Sequence, residues 1–175
     1  VIGGKVISPG DVCVELTTDA QGHAATGNIL PVGTYTIKEV TEPNGYNLNT
    51  AWKQTFSITA SNKDVSYSYA SGTGCPDTVI AGKIQITKKI VNTIDNTNAP
   101  EKGAKFSVTD SKGNVVDTIV TGDSGIGTSK DLPYGTYTVA QISGQTGTIL
   151  CDPWMVTISE HGKVYEYTRE NQLWT

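Results

Sequence analysis

Leu30-Pro31-Val32-Gly33-Thr34-Tyr35-Thr36-Ile37 returns further down the chain as Leu132-Pro133-Tyr134-Gly135-Thr136-Tyr137-Thr138-Val139. Each copy is a Leu-Pro-x-Gly turn signal followed by alternation of hydroxyl and apolar side chains, the signature of a half-buried strand. The surroundings repeat as well. Thr18-Asp19-Ala20-Gln21-Gly22 precedes the first copy as Gly122-Asp123-Ser124-Gly125 precedes the second. Downstream, Phe56-Ser57-Ile58 answers to Val156-Thr157-Ile158, and Tyr67-Ser68-Tyr69 to Tyr165-Glu166-Tyr167. The copies lie one small domain apart, so the chain reads as two homologous domains in series, 1–81 and 82–175, meeting near Ile80 to Lys83.

Working outward, the same period of two recurs at Tyr35 to Glu39, Val65 to Tyr69, Ile84 to Lys88 and Phe106 to Val108. Turn signals separate these runs: Pro9-Gly10, Pro43-Asn44-Gly45, Lys112-Gly113-Asn114 and His161-Gly162. No stretch carries a helical stripe. The composition agrees, with 19 Gly, eight Tyr, two Phe and one Met, which favours strands joined by many turns. The fold class predicted is all-β: two tandem immunoglobulin-like Greek-key β-sandwiches of about seven strands each.

Laying the second copy on the first shows a gap. The second domain opens with Gly82-Lys83-Ile84-Gln85-Ile86-Thr87-Lys88, well ahead of Ala104, and Ala104 aligns with Val1. The first domain is therefore expected to lack its opening strand in this fragment.

Charge and motif content exclude several function classes. A net charge of −4, with 13 scattered basic residues, leaves no electrostatic footprint for nucleic acid. No apolar run is long enough to insert in a membrane, and Val1-Ile2-Gly3-Gly4 is not a signal peptide, which points to an excised fragment. His23 and His161 sit beside turn glycines, so a nucleophile with its base is not expected and the protein reads as no enzyme. Asp123 and Asp131 lack calcium-loop spacing, no phosphate cradle occurs, and neither cofactor nor metal is expected. Trp52, Trp154 and Trp174 are spaced irregularly; core plugs or a linker contact is one reading, a sugar-stacking platform the other.

Two stretches carry a resemblance. Leu30 to Glu39 followed by Val40-Thr41-Glu42-Pro43-Asn44-Gly45-Tyr46 resembles the E-box strand and Pro-x-Gly-Tyr turn of the Cna-B or SpaA-type (prealbumin-like) repeat domains of Gram-positive adhesins and pilins. Gly82 to Lys88, with Glu101-Lys102-Gly103-Ala104-Lys105-Phe106-Ser107-Val108, is similar to that family's first two strands. The resemblance spans nearly the whole chain. It implies a structural stalk or pilus-shaft segment at the cell wall, outside the cell. Its partners would be neighbouring domains of the same surface protein or pilus. The competing reading is an adhesin module that binds host protein or glycan through loops around Trp52 and Trp154.

The resemblance also implies an intramolecular isopeptide bond between a first-strand Lys and a last-strand Asn, promoted by the E-box Glu. A buried amine is driven towards its nucleophilic neutral form, and a nearby carboxyl can relay a proton to departing ammonia. In the second domain Lys88 shares parity with Ile84 and Ile86, and Asn171 with Tyr165 and Tyr167, so both are expected to face inward. Gln141 stands where the first domain has Glu39, and an amide cannot shuttle a proton. Asp110, in phase with Phe106 and Val108, is the substitute acid. The alternative is that Lys88 and Asn171 are solvated strand ends. The first domain is the converse case: Glu39 is present, on the parity of Tyr35 and Ile37, but the Lys strand would precede Val1, and no Asn occurs from Lys63 to Val91. Asp77 is the one remaining acceptor there, and a solvated strand end is the other reading of Glu39. A Cys13–Cys75 disulfide is expected in its place, with two unpaired thiols as the alternative; Cys151 has no evident partner.

Overall fold

The computed structural model describes all residues except Val1, Gly3, Tyr69, Asn96, Trp174 and Thr175. Expectations for Tyr69, for Trp174 and for the alignment on Val1 therefore lie outside the described residues. Among the described residues there is no helix. The strands in chain order are β1 (Gly33–Lys38), β2 (Tyr46–Asn47), β3 (Lys53–Ile58), β4 (Thr78–Val79), β5 (Ala81–Asn92), β6 (Thr97–Pro100) and β7 (Lys105–Thr109). There follow β8 (Val115–Val120), β9 (Ile126–Thr128), β10 (Leu132–Pro133), β11 (Gly135–Ser143), β12 (Thr148–Ile149), β13 (Trp154–Ile158) and β14 (Val164–Leu173). They fall into two compact units, Val1–Val40 with Asn49–Pro76, and Thr41–Leu48 with Asp77–Thr175.

The division differs from the expected 1–81 and 82–175 in where residues 41–48 and 77–81 belong. The Pro43-Asn44-Gly45 turn aims Tyr46-Asn47 at Thr78-Val79, and β2 pairs there with β4. Gly45 O accepts from Ile80 N at 2.8 Å, and Ile80 O accepts from Tyr134 N at 2.8 Å. These backbone bonds bind the turn to the second unit.

The second unit is a sandwich. One sheet runs β13-β11-β7-β8, antiparallel throughout; the other is ordered β10-β5-β14-β12, with β6 and β9 also pairing with β5. β5 and β14 run parallel along nine register pairs, from Lys83 opposite Val164 to Val91 opposite Gln172. Strict alternation in β5 sends Ile84, Ile86, Lys88 and Ile90 into the interior, while the intervening residues stay partly exposed. The core is Ile84, Ile86, Ala104, Phe106, Val108, Ile119, Leu132, Tyr137, Val139, Val156 and Ile158.

The first unit repeats part of the same pattern. β1 and β3 pair from Gly33 opposite Ile58 to Lys38 opposite Lys53, the same turn-to-end register as Gly135 opposite Ile158 in the second unit. Tyr35 OH donates to Pro31 O as Tyr137 OH donates to Pro133 O, each at 2.8 Å. Thr34 faces Ser57 as Thr136 faces Thr157. The run from Val65 to Ser68, expected as a strand, has no ladder. Its counterpart Val164–Leu173 pairs with β5, and among the described residues of the first unit no strand is placed to pair with it. Its apolar centre is an aromatic chain, Tyr35–Phe56–Tyr67–Trp52, with ring centroids 5.8, 6.1 and 6.2 Å apart. Among the unit's described residues only Ile2, at 8% exposure, is buried.

Candidate functional site

At one end of the β5–β14 pair, three polar side chains are enclosed in the sandwich: Lys88 and Asn171, each 0% exposed, and Glu101, 1% exposed. Parity places the first two. Arg169 stands opposite Lys88 and Asn171 opposite Ile90 in the parallel register, so Lys88 and Asn171 are diagonal neighbours on one face. Glu101 arrives from the segment after β6. Its backbone N donates to Lys88 O at 2.9 Å, and its carbonyl accepts from the Thr121 hydroxyl at 2.6 Å.

The carboxylate of Glu101 lies between the other two. Oε2 is 3.3 Å from Lys88 Nζ and accepts from Asn171 Nδ2 at 3.0 Å. Oε1 accepts from Gln145 N at 2.6 Å. Lys88 Nζ also donates to Lys89 O at 3.0 Å. Burial pushes the Lys88 amine below the usual lysine range, and the Glu101 carboxylate opposes that shift. Asn171 Nδ2 has a second acceptor in Thr148 Oγ1 at 3.3 Å, whereas Asn171 Oδ1 is buried with no hydrogen-bond partner. A buried charge pair beside an unsatisfied amide carbonyl is costly to assemble.

The turn from Gly144 to Thr148 covers this trio. A Cβ on Gly144 would sit 2.6 Å from Glu101 Oε1, 2.8 Å from Gln141 Nε2 and 2.9 Å from Asn171 Nδ2. Only glycine lets the backbone come so near. The arrangement puts one carboxylate in reach of both the amine and the amide, so a proton can pass among the three.

The expected residues are distributed as follows. Lys88 and Asn171 come together inside the sandwich, and the reading of both as solvated strand ends is overturned. Gln141 is adjacent, but its Oε1 accepts from Cys151 N and its Nε2 donates to Ser143 O, both at 3.2 Å. Its role is to tie the β11 end to the next loop. Asp110 is not the acid of this site. Its Oδ1 accepts from Lys112 N and Asn114 N at 2.9 Å each, closing the β7–β8 turn, and the Asn114 side chain holds its carboxyl below the usual range. β7 runs from the Glu101 side to Asp110, so the two acids occupy opposite ends of that strand. Sequence parity missed Glu101 because Gly103, at φ 78°, breaks the extended chain between it and Ala104.

In the first unit Glu39 Oε2 accepts from Asn49 N at 3.0 Å, the bond that Gln141 makes to Cys151 in the second. Cys75 Sγ lies 3.8 Å from the same Oε2, and Cys13 Sγ lies 3.8 Å from Asp11 O. No disulfide joins Cys13 to Cys75: the Cys13 thiol is directed to the local Asp11 carbonyl and the Cys75 thiol to the Glu39 carboxylate, which corrects the expected bridge. Cys151 is half-buried against the second unit's core, and burial pushes its thiol pKa up. His23 and His161 are exposed. Trp52 Nε1 donates to Thr73 O at 3.0 Å. Trp154 packs edge-on against Phe106 and tilted against Tyr167, with Arg169 4.0 Å above its ring, and lies partly buried against the core.

A family model described as SpaA, prealbumin-like fold domain, matches residues 5–72 and again 82–173. No curated protein matches. Among solved structures, the Bacillus anthracis TIE protein is 24% identical over 90% of this chain and 28% of that one, with a TM-score of 0.74. A C-terminal fragment of the pilus adhesin SpaC from Lactobacillus rhamnosus GG is 15% identical over 87% of this chain and 83% of that one, with a TM-score of 0.51. GBS52, the minor pilin of Streptococcus agalactiae, is 24% identical over 90% of this chain and 67% of that one, with a TM-score of 0.47. The chain thus spans little more than a quarter of the TIE protein.

Proposed function

The chain belongs to the SpaA prealbumin-like fold domain family, and from that premise we propose that it is a load-bearing stalk or pilus segment of a Gram-positive cell-surface protein. In this reading the second unit is closed by an isopeptide bond between Lys88 and Asn171. The observation that carries it is the buried Glu101 carboxylate, within 3.3 Å of the Lys88 amine and 3.0 Å of the Asn171 amide.

The chemistry balances within the chain. Glu101 takes a proton from Lys88 and the neutral Nζ forms a bond to Asn171 Cγ; Glu101 returns that proton to Nδ2 as the Cγ–Nδ2 bond breaks and ammonia leaves, and the second Nζ proton then passes to Glu101, giving a neutral amide and a protonated carboxyl. No oxidant or cofactor takes part. Glu101 thereby fills the place that Gln141 leaves vacant. The mechanical reasoning follows from topology: β5 and β14 are the unit's first and last long strands, and a bond between them closes the force path without passing through the core. The partners in this reading are the neighbouring domains of the same surface protein or pilus.

Intact mass tests the proposal. The protein is expected to weigh one ammonia less than its sequence requires, and Glu101→Gln to recover the full sequence mass. A wild-type protein at full sequence mass overturns the cross-link.

A further inference from the structure

We propose that the Thr148 hydroxyl is a positioning residue for the bond-forming step, holding the Asn171 amide nitrogen against Glu101; this rests on the cross-link reading above. The amide can rotate about its last side-chain bond, and only one orientation sets the departing nitrogen beside the carboxyl that must protonate it. Two acceptors fix that orientation. Nδ2 donates to Glu101 Oε2 at 3.0 Å and to Thr148 Oγ1 at 3.3 Å. Thr148 is committed to the accepting role because its own hydroxyl donates to Gln145 O at 2.8 Å. Its backbone is held in turn by pairing of β12 with β14, Thr148 opposite Leu173, so the acceptor is anchored to the strand that carries Asn171.

The orphaned Oδ1 of Asn171 makes this contact necessary. Among the described residues nothing on the carbonyl side holds the amide in place, and a buried unsatisfied carbonyl favours rotation towards any donor. With Thr148 removed, Glu101 alone would have to hold the nitrogen while also exchanging a proton with Lys88. The same turn supplies the Gln145 N–H that fixes the other carboxylate oxygen, so one short segment orients acid and leaving group together.

The test follows ammonia loss by intact mass as the full chain, prepared by chemical synthesis so that it has never folded and starts at full sequence mass, is diluted from denaturant, in wild type, Thr148→Val and Thr148→Ser. Valine keeps the shape and removes the acceptor; serine keeps the acceptor. The expected result is a rate about tenfold lower for Thr148→Val, the scale of one hydrogen bond in a transition state, with Thr148→Ser restored to near the wild-type rate. Thermal stability is measured in parallel in a Lys88→Met background, where no bond can form, so that a general loss of folding is seen separately. If Thr148→Val fails to fold, Thr148→Ala against Thr148→Ser gives the same comparison. A Thr148→Val protein that reacts as fast as wild type overturns the inference and leaves the cross-link standing, as does a Thr148→Ser protein as slow as Thr148→Val. A wild-type chain that never loses ammonia removes both.

Discussion

A lysine, a glutamate and an asparagine enclosed together hold one exchangeable proton between amine and carboxyl. The ion pair and the neutral pair carry the same number of protons, so bond formation should run at a level rate wherever that one proton is retained. Burial holds the Lys88 amine below the ordinary lysine range. As pH rises through that depressed value the shared proton is lost, and Asn171 Nδ2 has no acid to leave with. The rate of ammonia loss, followed by mass as the synthetic, never-folded chain first folds across a pH series, should therefore fall at an alkaline pH below that of an ordinary lysine. A rate that keeps climbing with pH would mean that amine neutrality alone limits the step and that Glu101 is not its acid. The same residues show where sequence reading reaches. Lys88 and Asn171 were legible because both lie in long regular strands, where counting by twos gives the face. Glu101 was hidden by the left-handed Gly103, which resets the phase that runs through Ala104 and Phe106. Asp110 was misplaced for a related reason: the register slips between Val108 and Thr109, and past that point the chain is already turning.

At the scale of the element, the parallel pairing of β5 with β14 unites the beginning and end of the second unit, and every cross-strand bond in it is local to that seam. A covalent link from Lys88 to Asn171 would close most of the unit into one loop. In the chain-entropy picture used for disulfides, closing a loop approaching 100 residues stabilises by about 4 to 5 kcal/mol. For a domain of this size that corresponds to about 20 °C or more in melting temperature. Asn171→Ala, which removes the acceptor but keeps the Lys88–Glu101 pair, should lower the second unit's transition by about that amount in scanning calorimetry. A shift of a few degrees would indicate that Asn171 contributes only its packing. The contrast with the first unit supports the weight given to this seam. Its Tyr35, Thr34 and Gly33 repeat the contacts of Tyr137, Thr136 and Gly135, and that likeness was plain in the sequence. The strand expected from Val65 onward was not formed, because alternation fixes which side chains face inward but a strand also needs a neighbour to bond.

Over the whole molecule, the two units should differ in stability far more than their shared ancestry suggests. The second buries eleven hydrophobic residues in one cluster, while the first has two paired strands and an aromatic chain still partly open to water. Local opening free energy follows buried apolar contact and protected backbone bonds. Hydrogen exchange read by mass spectrometry should show β1 and β3 exchanging early, and β5, β7, β11 and β14 persisting to the slowest times. Limited proteolysis should likewise clip the loop from Thr59 to Gly74 before any bond beyond Asp77, leaving a resistant second unit. The outcome also bears on the proposed role, since a stalk under tension would extend where it is weakest. Equal protection in the two units would mean that the first is closed by contacts other than the β1–β3 ladder, and the second unit would then have no special claim as the part that resists pulling.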